Sequence, residues 1–464
     1  MTTQAHFRKS ILPRLLSRYG MVFILLFLCI FFTYKTYHDD QATGAAGANS
    51  LAASVEGVDK QSRIVIIAQT DSVDGEFADT LQSRLTASGF TKVHTIRGGP
   101  PDVREGLESS AKTDEVPDVI LTTPACRQWT LFDSLKSANP AFARIKIQSP
   151  AFGRNSTFLS ASNLRNVADQ VAVIAILAIG MTMVILTGGI DLSVGSLLAL
   201  SAVVTAWLIQ KWGGSAASSG VMAGAALCAI LLMGAVGLFS GLMITRLRIP
   251  PFIATLAMMQ VASGLAFIIS QGQSINDIPA SFTWLGRGVG FASLPIAVLL
   301  MILLYLGSNW LMLRTVIGRH IYAVGGNSEA SRLSGIEPKK VLLFVYLVSA
   351  LGAGIGGVIT ASQLKAGSPN FGQMYELYVI ASVVVGGTSL VGGEGFIFGT
   401  LIGAFIIAVI RNGMNLMNIE PYTQKVVLGF VILGAVSLDR LRRSPGKNWF
   451  ARKPKQIAAQ STSE

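Results

Sequence analysis

Thr187-Gly188-Gly189-Ile190-Asp191-Leu192-Ser193 separates two apolar runs that would otherwise form one stretch from Met181 to Trp207. Paired glycines loosen a helix, and Asp and Ser are types that cap a new one by accepting its free N–H groups. A carboxylate in mid-bilayer costs about 2.5–3.5 kcal/mol on insertion scales, so Asp191 must face protein, water or a helix N-terminus. Two readings stay open: Asp191 caps a cytoplasmic turn, or with Gly188, Gly189 and Ser193 it shapes the gate of a path between discontinuous helices. A second polar group, Gln260 with Ser263, Gln271, Gln273 and Asn276, lies in or beside one apolar span. Neutral amides and hydroxyls exchange hydrogen bonds with an uncharged, hydroxylated solute, although Gln260 could equally bridge two helices. A third candidate is the loop from Arg314 to Lys340, where Asn327 can cap a short helix through Ser328–Leu333 that Gly335 ends. With polar residues on one side and Leu333 and Ile336 on the other, that helix suits docking in a partner's groove, or it is an ordinary interfacial loop helix.

Other patterns exclude chemistries. No GxxxxGK[ST] loop occurs, so ATP phosphates cannot be cradled in the P-loop manner, and energy must come from another subunit or a gradient. The GxGxxG at 352–357 sits inside an apolar span with no preceding strand, which fits close helix packing, as do Gly237 with Gly241 and Gly399 with Gly403. Cys29, Cys126 and Cys228 offer no metal spacing, and the 4 histidines form no cluster. No catalytic residue, metal ligand or bound cofactor is therefore expected.

The elements that must position these residues are helices in a membrane. Of 464 residues 51% are hydrophobic and only 13% charged, with a mean hydropathy of +0.54, a balance that belongs to a polytopic helical membrane protein rather than a soluble enzyme. The net charge of +12 does not indicate nucleic acid, because the basic residues fall in short loops and tails. After the first apolar run, Gly20 to Tyr34, spans are expected at 167–187, 192–210, 219–245, 252–270, 291–312, 341–362, 375–391, 396–413 and 422–438, about ten in all. Arg8, Lys9, Arg14 and Arg18 place the N-terminus in the cytoplasm. Alternation then puts Arg246 and Arg248, the 314–340 loop and the tail with Arg440, Arg442, Arg443 and Lys447 on that same side. Loops near 212–219, 271–290, 365–374 and 414–420 fall outside. The small-residue segment Ala42 to Ala53 imitates a cleavage region, but an uncleaved first span is preferred.

Between 38 and 158 the composition changes: charges are frequent and apolar runs shrink to strand length. Strands at 63–69, 92–96, 116–123 and 143–148, with helices at 75–88, 101–112 and roughly 128–137, read as a small inserted α/β domain outside the cytoplasm. The expected organisation is a cytoplasmic N-terminus and first helix (1–37), this insert (38–158), a membrane domain (159–440) and a basic cytoplasmic tail (441–464).

Gly386-Gly387, followed by a small-residue turn and another apolar run, weakly echoes Gly188-Gly189: either paired breaks in two halves point to a transport path built from repeats, or glycine-rich turns resemble one another by chance. Together TGGIDLSVGSLLAL (187–200), PPFIATLAMM (250–259), GRHIYAVGGNSEASRLSGI (318–336), VVVGGTSLVGGEGFIFGTLIGA (383–404) and AVSLD (435–439) resemble the permease subunit of bacterial ATP-binding-cassette importers for monosaccharides, over about residues 156–440. The resemblance implies a multi-pass inner-membrane permease that works as a pair, a cytoplasmic ATPase subunit that uses the ATP, a periplasmic sugar-binding protein that delivers the solute, and lipid as surroundings. It also implies that 318–336 contacts the ATPase, through Gly318, Arg319, Gly326, Asn327, Glu329, Ala330, Arg332, Leu333, Gly335 and Ile336. The insert departs from the family's short loop and resembles one lobe of a periplasmic sugar-binding fold. Since such folds grip ligand between two lobes, Asp71, Asp74 and Pro124 are weak ligand candidates, and a docking or structural role is preferred. A gradient-driven carrier, with Asp191 as its titrating group, and a membrane sensor with an extracytoplasmic ligand domain are the rival readings.

Overall fold

The structure, a computed structural model, describes residues 20–443 except 56, 114, 133–134, 136–141, 143, 151 and 292–293. Arg8, Lys9, Arg14, Arg18 and the tail beyond 443 lie outside the described residues. The chain divides into two compact units, residues 36–157 and the remainder. The remainder begins with helix α1 (Gly20–Lys35).

The 36–157 unit holds two sheets. Strands β2 (Ile64–Ala68), β3 (Val93–Arg97), β4 (Val119–Thr122) and β5 (Lys146–Gln148) form a parallel sheet in the order β3-β2-β4-β5. Every residue of β2 and β4 is buried, as expected of strands covered on both faces. Helices α2 (Gly44–Ser54) and α3 (Ser72–Ala87) cover one face, burying Leu51, Phe77 and Leu81. Helix α4 (Pro100–Lys112) and the short α5 (Pro124–Arg127) lie on the other, around Val103, Leu107 and Cys126. The segment that imitates a cleavage region is thus a helix: alanine is the best helix former, and Ala48 and Leu51 gain a partner in α3. In the segment expected as a helix at 128–137, Leu131, Phe132 and Leu135 are helical, with much of the remainder outside the described residues, and α5 precedes it. Strands β1 (Tyr37–Gln41) and β6 (Phe152–Ser156) pair antiparallel in register from Tyr37 with Ser156 to Gln41 with Phe152. Their polar sequences carry no alternation by which they could be read.

Where the strand order reverses, between β2 and β4, an α/β sheet ordinarily offers a ligand crevice at its carboxyl edge. Asp74, only 7% exposed, occupies that place. It accepts the Gln69 N–H at 3.1 Å and the Thr123 hydroxyl at 2.9 Å, with the Cys126 thiol 3.9 Å away. Burial pushes that thiol's pKa up. Asp71 caps α3 by accepting from Val73 and Asp74 N–H, and Pro124 opens α5, so all three candidates have local structural work. Asp74→Ala leaves two buried donors unpaired and should destabilise the unit by about 2 kcal/mol. Faster cleavage within 36–157 on limited proteolysis of the full chain, with Asp74→Asn intermediate, is the expected readout.

The other unit continues with α6 (Ala161–Leu186), α7 (Val194–Trp212), α8 (Ser219–Arg246), α9 (Pro251–Ser270), α10 (Ile296–Arg314), α11 (Val316–Gly326), α12 (Ser328–Leu333), α13 (Pro338–Leu364), α14 (Tyr375–Val385), α15 (Ile397–Leu416) and α16 (Pro421–Arg443). Seven described helices (α6–α10, α13 and α15) are long and apolar enough to cross a membrane, and three shorter apolar ones are Gly20–Lys35, Tyr375–Val385 and Pro421–Ser437. Helix α6 is the centre: 89% of its apolar window is buried, against 28% for α9 and for α10. The apolar outer faces of α9 and α10, with Ile268 and Leu303 exposed, are what lipid requires. Glycines set the contacts in the bundle: a Cβ at Gly180 would stand 2.4 Å from Ser349 Cα, and one at Gly357 2.4 Å from the Leu198 carbonyl oxygen. The 352–357 glycines are therefore packing residues. Polar pairs also join distant helices: Asn163 and Asn412 exchange two amide bonds, and the Thr182 and Thr400 hydroxyls meet at 2.8 Å.

One expectation about the last spans is corrected. The span at 375–391 ends at Val385, where Gly386 and the positive-φ Gly387 break it. Residues 365–374 form the expected loop, but one packed against α7. Gly367 exchanges two backbone hydrogen bonds with Ile275 and lies against Ala206, while Gly372 lies against Gly195. The chain thus doubles back along α7 from the level of Ala206 to that of Gly195, about 16 Å of helix rise, before α14 begins. Only glycine lets two backbones approach so closely.

Candidate functional site

The start of α7 and the start of α14 meet beside a cavity of about 330 Å³. A Cβ on Gly195 would come within 2.6 Å of a Glu376 carboxylate oxygen. Gln260, Ser263 and Phe267 of α9, with Phe371, Gln373 and Lys425, complete much of the wall. Gln260 and Ser263 therefore line a cavity and do not bridge helices, whereas Gln271, Gln273 and Asn276 are not among its walls. The Lys425 ammonium lies over the Tyr422 ring, 5.9 Å from its centre. Glu376 escaped the sequence reading, although it is an acid at the head of an apolar run.

Asp191 does not line this cavity. It is 2% exposed and accepts the Ser193 N–H at 3.0 Å, the Ser193 hydroxyl at 2.6 Å and the Ser349 hydroxyl at 2.7 Å. Ser193, the residue that opens α7, makes no side-chain cap bond. The expected cap is therefore a bridge: Asp191 accepts from three neutral donors, two on Ser193 and one on Ser349 of α13 that ties the break to that helix, and no ion pair to it occurs among the described residues. Thr255 of α9 fastens the same break through the Ile190 carbonyl at 3.2 Å.

The two glycine breaks and the predicted partner-contacting loop converge on one junction at the Leu186 end of the bundle. The Leu186 carbonyl accepts the Gly393 N–H at 2.9 Å, and the Tyr322 hydroxyl donates to the Gly395 carbonyl at 2.8 Å. Cβ atoms at Gly392 and Gly393 would stand 3.0 Å from Gly325 O and 2.9 Å from Gly326 Cα. Gly188 approaches Val391, Gly189 lies under the Tyr346 hydroxyl, and Gly386 packs on Gly399. None of Gly188, Gly189, Gly386 or Gly387 lines the cavity; Gly188 and Gly189 precede the N-terminus of α7 and Gly386 and Gly387 follow the C-terminus of α14, so they attach the two helices whose N-termini do.

The 314–340 loop contains α11 as well as the expected α12. Thr315 caps α11, whose inner side buries Gly318, Ile321 and Val324, and Asn327 caps α12 by accepting from Ala330 N–H at 2.9 Å. Arg319, Gly326, Asn327, Glu329, Ala330, Arg332, Leu333 and Gly335 are exposed and Ile336 half-buried. Arg332 donates to both Glu329 oxygens, at 2.6 and 3.2 Å. These bonds hold the Glu329 carboxyl below its usual range and raise the guanidinium. One loop therefore presents a polar outer surface with Leu333 prominent, and an inner surface locked to the junction.

Seven described helices long and apolar enough to cross a membrane, with a polar cavity where α7 and the shorter α14 start, define a multi-pass membrane protein. The chain belongs to the family described as branched-chain amino acid transport system / permease component, whose model matches residues 163–436. It is 41% identical over 291 residues to the ribose import permease protein of Escherichia coli (strain K12), covering 62% of this chain and 88% of the relative. It is 36% identical over 284 residues to the D-allose transport system permease protein of the same strain (61% and 85%). To the L-arabinose ABC transporter permease protein of Azospirillum brasilense it is 36% identical over 287 residues (62% and 82%). No solved structure matches.

Proposed function

We propose that the chain is the permease subunit of an ATP-driven importer that carries a monosaccharide across a bacterial inner membrane. The observation that carries this reading is the match along most of the length of permeases whose names specify ribose, allose and arabinose. In this reading the chain has ten spans, seven long and three short, with both termini cytoplasmic and the 36–157 unit outside. The junction and the 314–340 loop are then cytoplasmic, where an ATPase subunit grips α12 and its neighbours. Closure of the ATPase pushes α11, and α11 moves the ends of α7 and α14, shifting which side of the cavity is open. Gln260, Gln373 and Lys425 are exposed on the cavity's open side, and lipid cannot satisfy them. A second permease copy closes that side, and a periplasmic binding protein delivers the solute.

A pull-down from detergent-solubilised membranes tests the reading. Wild type is expected to retain an ATPase, and the Arg332→Glu, Gly335→Pro double variant to lose it. Arg332→Glu alone touches an exposed pair, so the folded protein should melt like wild type. Failure of wild type to bind any ATPase would favour the gradient-driven carrier.

A further inference from the structure

We infer that the cavity beside Gly195 and Glu376 is a binding site for a neutral polyhydroxyl solute, and that Glu376 determines its specificity by accepting hydrogen bonds from neighbouring hydroxyls. The inference rests on the importer reading for the solute's passage, and on the lining groups for its chemistry. Glu376 is half-buried and takes part in no salt bridge among the described residues; its own backbone N–H bonds to it. The cation nearest in the wall, Lys425, is engaged by the Tyr422 ring. Free carboxylate oxygens in a half-buried site seek donors, and adjacent sugar hydroxyls supply two with a spacing that one carboxylate spans. Donors that answer the sugar's own oxygens are present in the Gln260 and Gln373 amides, the Ser263 hydroxyl and the first-turn N–H groups at Gly195 and Ser196. Phe267 and Phe371 supply apolar surface for the C–H faces of a sugar ring. A volume of about 330 Å³ stands at the small end of ligand pockets, suited to one ring. An anionic solute meets the carboxylate unfavourably, and a zwitterion would have to draw Lys425 from its aromatic partner.

The test uses the full chain in detergent, with Ser263→Cys as reporter and Cys29 and Cys228 replaced by alanine; Cys126 is buried and stays. D-ribose is expected to slow maleimide labelling of the reporter at least threefold, while ribose 5-phosphate and L-leucine do not. 2-Deoxy-D-ribose, which lacks the 2-hydroxyl and with it two adjacent hydroxyl pairs, should need several-fold higher concentration than ribose. In the Glu376→Gln background the concentration of ribose needed should rise about tenfold and the ribose-to-deoxyribose ratio fall toward one. A merely structural role for Glu376 would weaken both sugars alike and leave that ratio intact. The proposal is overturned if Glu376→Gln is protected like wild type, if the phosphate ester or leucine protects best, or if no sugar protects. Retention of an ATPase by the same preparation reports separately on the importer reading, so either can fail alone.

Discussion

Gly325→Ala is expected to abolish solute uptake and to lower the melting temperature of the solubilised protein, whereas Gly326→Ala, one residue on, should melt like wild type. A Cβ at Gly325 would stand 1.7 Å from the Leu186 carbonyl oxygen and 2.7 Å from the Gly393 amide nitrogen. At Gly326 an added Cβ meets nothing within 4 Å. Because all the atoms in the clash are backbone, no rotamer can relieve it. Either α11 lifts from the junction or the bond from Gly393 to Leu186 breaks. Overpacking of 1–3 kcal/mol with about 1 kcal/mol for the bond gives roughly 3 kcal/mol of destabilisation. The pairing of the variants separates the close approach from a general intolerance of alanine in this turn. Equal melting of the two would show that the junction is not the tight contact described.

Asp191→Ala is expected to be the most damaging change of a polar residue. It leaves the Ser193 N–H, the Ser193 hydroxyl and the Ser349 hydroxyl without the acceptor they share. At about 1–3 kcal/mol for each buried group that finds no substitute, a loss on the order of 3 kcal/mol follows. The protein should accumulate poorly and elute as aggregate on size exclusion. Asp191→Asn behaves differently, since the amide oxygen still accepts from Ser193 and Ser349 can turn its hydroxyl to accept from the amide nitrogen. Near-normal uptake across pH 5–8 is expected for that variant. A loss of uptake that depends on pH would instead make Asp191 the titrating group of a gradient-driven carrier. The difference between the substitutions reads hydrogen-bond count, not charge.

How far these results were legible in the residues differs from element to element. The long apolar runs located their helices within a few residues, because a chain in lipid must satisfy its backbone internally and only a helix does so within one segment. Asn327 capping α12 was legible for the same reason: a cap bonds to its own next residues, and nothing remote is needed. The packing glycines at 352–357 were recognisable as a class, though not their partners. The polar strands β1 and β6 were invisible, because their sequences carry no alternation.

What the sequence by itself determined is the local part: which segments become helices, where glycine and asparagine end or begin them, and that charge is sparse within the spans. The tertiary structure alone decided what those segments surround. Residues 365–374 read as an ordinary loop, yet close contacts to Ala206 and Gly195 carry them along α7 and set Glu376 at the cavity. Gly188 and Gly386 read as paired breaks in a path, yet the bond from Gly393 to Leu186 and the approach of Gly325 make the regions around them attachments for α11. Local pattern is governed by the backbone's own hydrogen bonds. The surroundings of Asp191, fixed by Ser349 more than 150 residues away, depend on which helices come to lie side by side, and no periodicity in one helix encodes its neighbour.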